Sequence, residues 1–173
     1  MRRILLTGMS GTGKSTVIEE LAARGYKAVD ADADGLSGMV SAPEDELTGP
    51  GPGKDWVWRE DRIQELLSTE GADILFVAGT SPNQGSFYPQ FDQVILLSAP
   101  AEVIVERLTT RTNNPFGKRP GELDRTLQLL ETVEPLLRRG ADYEVDASAP
   151  LDDVVAEILR VAGEQSGPVP AVC

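Results

Sequence analysis

The sequence predicts an α/β fold in which a five-stranded parallel sheet carries helices on both faces. Short, continuously apolar segments alternate with segments whose apolar residues recur at helical spacing, a pattern typical of parallel sheets that are buried on both sides. A glycine-rich turn also joins the first predicted strand to the first helix. The length of 173 residues suits one domain with a single core.

The strands and helices follow from these segments in chain order. Residues 4–7, 27–29, 74–78, 94–97 and 143–145 are the predicted strands. We expect their spatial order in the sheet to be 2-3-1-4-5. Helices are expected between Gly13 and Gly25, over 58–68, between Pro100 and Arg111, and over 123–137 and 151–161. Glycine and proline predict loops over 35–55 and 111–121. We expect one domain over 1–163, with an acceptor-binding region over about 30–62, a lid over about 111–121 and a polar tail over 164–173.

Composition excludes several classes of function. The chain has 16 basic and 28 acidic residues, a net charge of −12, no histidine and one cysteine, Cys173. Such an acidic chain is a poor partner for nucleic acid, whose phosphates require a basic face, or for an anionic membrane. Histidine catalysis, an internal disulfide and a zinc–thiolate cluster are excluded. We expect a cytoplasmic protein, as a monomer or weak dimer.

A phosphate-binding loop follows the first predicted strand. The segment from Gly8 to Ser15 matches G-x-x-x-x-G-K-[ST], and a helical segment follows it, as the motif requires. Lys14-Ser15, with Thr16 in place of a third glycine, favours phosphate-loop NTP binding over a dinucleotide-binding turn. Glycines let successive N–H groups surround an anion, and the helix N-terminus adds positive charge. The expected ATP-binding residues of this segment are Gly8, Ser10, Gly11, Thr12, Gly13, Lys14, Ser15 and Thr16.

Acidic residues for Mg²⁺ and for proton transfer are expected after the second predicted strand. Many phosphate-loop proteins place an aspartate at the end of another strand, but residues 74–80 contain no acid. Asp30, Asp32 and Asp34 alternate instead, so the first two point the same way in an extended chain. One carboxylate can order water on Mg²⁺, and the other can accept the proton of an attacking hydroxyl.

Up to about residue 160, the chain resembles small-molecule kinases of the shikimate kinase and nucleoside kinase group. The resemblance implies ATP-dependent, Mg²⁺-dependent transfer of the γ-phosphoryl group to a hydroxyl of a small metabolite or nucleoside. Asp30 and Asp32 resemble the family's Asp-x-Asp, in which the first acid serves Mg²⁺ through water and the second contacts the acceptor hydroxyl. Ser15 would complete the metal site, and the catalytic residues would be Lys14, Asp32 and Arg119.

Around the acceptor the resemblance is partial. Trp58-Arg59 resembles the family's Phe-Arg, whose arginine binds the acceptor, and Gly79 resembles the first glycine of a run that approaches it. From its residue type, Trp58 can either stack on a ring of the acceptor or pack the loop–helix junction. Arg62 stands where the family has an acid, and Val133 replaces the arginine that binds the carboxylate of shikimate. We therefore expect kinase chemistry on a small-molecule acceptor other than shikimate.

The nucleotide side resembles the family more closely. Arg111 resembles the arginine that stacks on adenine, Arg119 the arginine of the lid, and Pro150 the proline that lines the adenine pocket. Together with Arg107 and Lys118, these two arginines concentrate positive charge in and beside one loop of an acidic chain. A basic lid would close over ATP and exclude water.

Two alternatives stay open at the level of sequence. A nucleoside-monophosphate kinase would use residues 35–55 as a nucleotide-binding insertion, although Lys54 is the only basic residue there. An ATP-binding regulatory ATPase or switch would need a residue that orients water, and Gln84 is a candidate.

Overall fold

The computed structural model describes residues 2–9, 11–32, 35–41, 54–110 and 121–163. Within these ranges the strands are β1 (Arg2–Thr7), β2 (Lys27–Asp30), β3 (Ser37–Ser41), β4 (Lys54–Trp58), β5 (Ile74–Ala78), β6 (Gln93–Ser98) and β7 (Tyr143–Asp146). The α-helices are α1 (Lys14–Ala23), α2 (Glu60–Leu67), α3 (Ala101–Thr110), α4 (Glu122–Thr132), α5 (Glu134–Gly140) and α6 (Leu151–Val161). A 3₁₀ helix spans Gln84–Gln90.

Five strands form one parallel sheet in the order β2-β5-β1-β6-β7. This is the predicted order 2-3-1-4-5 once the strands of the main sheet are counted alone. The strands with the longest apolar runs, β1, β5 and β6, lie in the middle, where both faces are covered. The less buried β2 and β7 form the edges.

Alternate residues of β1 face two separate cores, which gives the molecule three layers. Ile4 and Leu6 lie in a cluster with α1 and α6, whereas Leu5 lies in a cluster with Trp58 and α2. This alternation follows from the two-residue period of a strand. The described helices have 7 to 11 residues, and none of them is long and apolar enough to cross a membrane.

The prediction of an irregular loop over 35–55 was wrong at both ends. β3 and β4 form an antiparallel pair in which Ser37 is opposite Trp58 and Ser41 is opposite Lys54. Most of the glycines and prolines that suggested a loop lie between these strands, outside the described residues. Valine and tryptophan in β4 are residue types that favour strands. The following helix therefore begins at Glu60, two residues later than predicted.

The single helix predicted over 123–137 is two helices. α4 ends at Thr132, and Val133 separates it from α5. Proline has no N–H, and its ring clashes with the carbonyl four residues earlier, so Pro135 fits the first turn of a new helix better than the interior of an old one. At the start of α5, the N–H of Leu136 donates to the Val133 carbonyl at 2.9 Å.

Candidate active site

The predicted site residues meet at the carboxyl edge of the main sheet, where open α/β sheets bind ligands. β1 leads into Gly8, β2 ends at Asp30, and β5 leads into Gly79. The ends of β1 and β5 are joined directly, because the N–H of Gly79 donates to the Leu6 carbonyl at 3.0 Å. Thr80 adds a second link: its hydroxyl donates to the carbonyl of Gly8 and accepts from the N–H of Gly8.

Two glycines explain the shape of the phosphate loop. A Cβ on Gly8 would lie 2.3 Å from the carbonyl oxygen of Leu97, so the loop passes too close to β6 for any side chain. Gly13 has φ +89° and immediately precedes α1, a left-handed conformation that favours glycine. The loop therefore presents the N-terminus of α1 at the edge of the sheet, as an anion site requires.

The Lys14 side chain lies across the start of this loop. Its ammonium donates to the carbonyls of Gly8 at 2.6 Å and Met9 at 3.1 Å. The lysine is half-buried, and these hydrogen bonds place its charge at the mouth of the loop. A cation at this point attracts an anion bound by the loop.

Ser15 and Asp30 form a pair of hard oxygen donors beside the loop. The Ser15 hydroxyl donates to Asp30 Oδ2 at 2.9 Å, and Asp30 Oδ1 accepts from the backbone N–H of Asp32 at 3.0 Å. Mg²⁺ prefers oxygen ligands, and it uses few protein groups where phosphate and water complete its shell. The donor set fits a metal shared with a phosphate ligand.

Asp32 is held between β4 and β5. Its Oδ1 accepts from the indole N–H of Trp58 at 3.2 Å, and the backbone N–H of Thr80 lies 3.1 Å from Oδ2. Burial raises the pKa of this carboxyl, while the charge of Lys14 and the hydrogen bonds from Trp58 and Thr80 act in the opposite direction. A carboxylate with a raised pKa is a better proton acceptor.

Trp58 supports Asp32 from behind. The ring is 1% exposed and packs against Phe87 with centroids 6.0 Å apart. Gly79 leaves room for this arrangement, since a Cβ there would lie 2.9 Å from Asp32 Oδ1 and 3.0 Å from Trp58 Cζ2. Of the two roles left open for Trp58, packing is the one observed, while direct contact of Trp58 and Gly79 with an acceptor stays a prediction.

The other predicted residues differ in their surroundings. Arg59 is exposed at the start of α2, where its backbone N–H donates to the Leu36 carbonyl at 2.7 Å. Thr16 is exposed in the first turn of α1, and Pro150 is exposed just before α6. Ser10, Asp34, Arg111, Lys118, Arg119 and Cys173 lie outside the described residues, and the roles predicted for them stay predictions.

Gln84 is not placed to orient a water molecule for attack on a phosphate. It is 3% exposed, and its Oε1 accepts from the N–H of Ser81 at 2.8 Å. Its Nε2 donates to the Tyr88 hydroxyl at 2.8 Å and to the Thr7 hydroxyl at 3.1 Å. Because both ends of its amide are hydrogen-bonded within the protein, Gln84 links the segment after β5 to β1.

Two further residues were missed or misjudged from the sequence. Thr80 contacts both Gly8 and Asp32, and its only signal was its position directly after Gly79. Arg107 was grouped with the lid, but its guanidinium lies against the phosphate loop, 3.3 Å from the Thr12 carbonyl oxygen. Residues 12 and 107 are 95 positions apart in the sequence, and their spacing does not predict that contact.

Sequence comparisons find relatives that match most of the chain. A family model described as AAA domain matches residues 4–128. Shikimate kinase 2 of Yersinia enterocolitica is 27% identical over 175 residues, which cover 94% of this chain and 96% of the relative. The Geobacter sulfurreducens shikimate kinase is 29% identical over 167 residues, covering 94% and 92% of the two chains.

Solved structures agree on the fold. Shikimate kinase from Acinetobacter baumannii, in complex with shikimate, superposes with a TM-score of 0.62 at 22% identity, covering 96% of this chain and 95% of that one. At this identity the similarity shows the fold. With its phosphate loop and these relatives, the chain lies in the group of P-loop kinases of small molecules, and by the match over residues 4–128 it belongs to the AAA domain family.

Proposed function

We propose that this kinase transfers the γ-phosphoryl group of ATP to a hydroxyl of a small metabolite or nucleoside, with Mg²⁺ as cofactor. The observation that carries the proposal is the position of Asp32. Its carboxylate lies beside Lys14 at the mouth of the phosphate loop, held by Trp58 and Thr80, with a raised pKa. A base at this place suits an acceptor that must lose a proton as it attacks.

The chain's own residues supply the positioning that phosphoryl transfer requires. The loop from Gly8 to Ser15 would bind the phosphates through its N–H groups, and Lys14 would leave its two carbonyl partners for the β- and γ-phosphate oxygens. Ser15 and Asp30 would hold Mg²⁺, the serine directly and the aspartate through water. Bound Mg²⁺ would neutralise charge on the phosphate oxygens.

Asp32 would orient the acceptor hydroxyl and take its proton. The N–H groups of Trp58 and Thr80 fix the carboxylate in one orientation, so a free lone pair can face the acceptor. The nearby positive charge of Lys14 partly offsets the effect of burial. The outcome is a carboxylate whose raised pKa lets it accept a proton more readily than an exposed one.

The acceptor is proposed to differ from shikimate. Val133 is half-buried and packs against Met9, Leu96 and Leu137, so this position offers an apolar contact where the resemblance implies an arginine for a carboxylate. Arg59 and Arg62 are both exposed near the start of α2. We propose that the arginine at 59 binds the acceptor.

The test is ADP release with ATP and Mg²⁺ against a panel of metabolites, nucleosides and nucleoside monophosphates, with shikimate included. We expect one hydroxyl acceptor to stimulate ADP release and shikimate to give little stimulation. Hydrolysis at one rate across the whole panel would overturn the proposal. Stimulation by monophosphates alone would replace it by a nucleoside-monophosphate kinase.

A further inference from the structure

We propose that Arg107 is a positioning residue that holds the phosphate loop in its anion-binding shape and joins it to the loop after β7. This inference rests on the nucleotide site of the proposed function. Arg107 lies in the last turn of α3 and is half-buried. Its role concerns the loop itself and not the acceptor.

A single guanidinium spans two segments that are far apart in sequence. Arg107 Nη1 lies 3.4 Å from the carbonyl oxygen of Gly11 and 3.3 Å from that of Thr12. Arg107 Nη2 donates to the Ala147 carbonyl at 2.6 Å. The planar fork of an arginine presents several donors in fixed directions, so one side chain can hold both segments at once.

The neighbours of Arg107 on α3 face the same loop. A Cβ on Gly11 would lie 3.1 Å from Ile104 Cγ2 and 3.2 Å from Leu108 Cγ. Residues three and four apart share one side of a helix, so Ile104, Arg107 and Leu108 form one surface under the loop. The two apolar side chains set its distance from α3, and the arginine adds the polar contacts.

These contacts also orient the peptide groups of the loop. In a trans peptide the C=O and the following N–H point in opposite directions, and the described chain contains no cis peptide. With the Thr12 carbonyl directed at Arg107, the N–H of Gly13 points away from the guanidinium. Fixing this peptide group leaves the N–H free to donate to a phosphate oxygen, and fixed dipoles bind charge without reorganisation.

The second anchor lies at the start of the loop between β7 and α6. The Ser148 hydroxyl and N–H lower the pKa of Asp146, and the positive charge of Arg107 acts in the same direction. Arg107 therefore lies close to both Asp146 and Ala147. Removing it would free the phosphate loop from this segment while leaving the residues that touch phosphate unchanged.

The experiment measures binding of ATP and of inorganic tripolyphosphate by calorimetry, with no acceptor present. We expect Arg107→Met to weaken both ligands by the same factor, about tenfold, which corresponds to roughly 1.4 kcal/mol. Arg107→Lys keeps the charge but not the fork, and we expect an intermediate loss. Arg160→Met is the matched control, because Arg160 also lies in the last turn of a helix but pairs only with Glu157 among the described residues.

The outcomes separate this inference from the proposed function. Unchanged tripolyphosphate affinity in Arg107→Met, with or without a loss for ATP, would overturn it, and a loss confined to ATP would point to contact with the base. A loss equal in Arg107→Met and Arg160→Met would also overturn it, since the effect would then belong to the helix end. Wild-type protein that binds neither ligand would refute the nucleotide site and, with it, the proposed function. If the methionine variant unfolds, the lysine variant alone decides, and wild-type affinity would refute the role of the fork.

Discussion

Replacing Asp32 by asparagine removes the proposed base and leaves most of its surroundings intact. Asparagine keeps an Oδ1 acceptor for the indole N–H of Trp58 and the N–H of Thr80, both at 3.2 Å in the native protein. The substitution removes the negative charge and the second carboxylate oxygen. Lys14 and the phosphate loop stay in place, so nucleotide affinity should change little.

The expected loss of turnover follows from the size of general base catalysis. A positioned base contributes about 10²- to 10⁴-fold, which is roughly 2.7–5.4 kcal/mol of transition-state stabilisation. We therefore expect Asp32→Asn to lower kcat by at least about a hundredfold with little change in KM for ATP. The opposite pattern, a raised KM with an unchanged kcat, would assign Asp32 to binding.

The same variant has a predicted effect on stability. Burial raises the pKa of Asp32 in the folded state, so the folded protein binds this proton more tightly than the unfolded chain. The free energy of unfolding contributed by Asp32 then falls as the pH rises from the ordinary carboxyl pKa to the raised one, and is constant above it. Asp32→Asn lacks this term, so its stability relative to wild type should rise over that interval.

Thermal or urea unfolding of both proteins from pH 4 to pH 8 checks this sign. The difference between variant and wild type cancels the titration of the other acids. Asp153→Asn is the control, because it is the same substitution at an exposed acid of α6, away from Lys14 and the phosphate loop. A variant whose relative stability fell with rising pH would refute the reasoning, since Asp32 would then be a stabilising ionised group.

Three further substitutions test the residues around Asp32. Lys14→Ala should abolish turnover with the far-UV circular dichroism unchanged, because it removes the cation at the mouth of the loop; a folded, fully active variant would refute the site. Trp58→Phe deletes an N–H whose hydrogen bond lowers the pKa of Asp32, so the acidic limb of the pH–rate profile should move to higher pH; an unmoved limb would separate Trp58 from the base. Gly79→Ala places a Cβ 2.9 Å from Asp32 Oδ1 and should lower kcat by about tenfold or more for a displaced base, whereas Gly85→Ala, in open space, should not.

The main sheet was predictable because its signal is local. Short apolar runs such as Ile4–Leu6 and Ile74–Ala78 are typical of strands that are buried on both faces of a sheet. Their order along the chain then restricts the topology. The phosphate loop was predictable for the same reason, since all its fixed positions lie within eight consecutive residues. Asp30 and Asp32, which alternate in the sequence, both lie beside the loop, and the roles predicted for them stay predictions.

The features that sequence reasoning missed depend on contacts between distant segments. The hydrogen bond from Trp58 to Asp32 joins residues 26 positions apart, and the contact from Arg107 to Gly11 joins residues 96 positions apart. The hairpin of β3 and β4 was hidden by the glycines and prolines between its strands. Gln84 was misjudged because its three hydrogen-bond partners, which occupy its amide, are visible only in the folded chain.

The product formed from ATP in the presence of the stimulating acceptor tests the central claim most directly. We would record its ³¹P NMR spectrum after complete turnover with Mg²⁺. A hydroxyl kinase predicts one new phosphate monoester signal together with ADP. Inorganic phosphate as the only new signal besides ADP would contradict the account in favour of an ATPase, and a new phosphoanhydride signal would contradict it in favour of a phosphate acceptor.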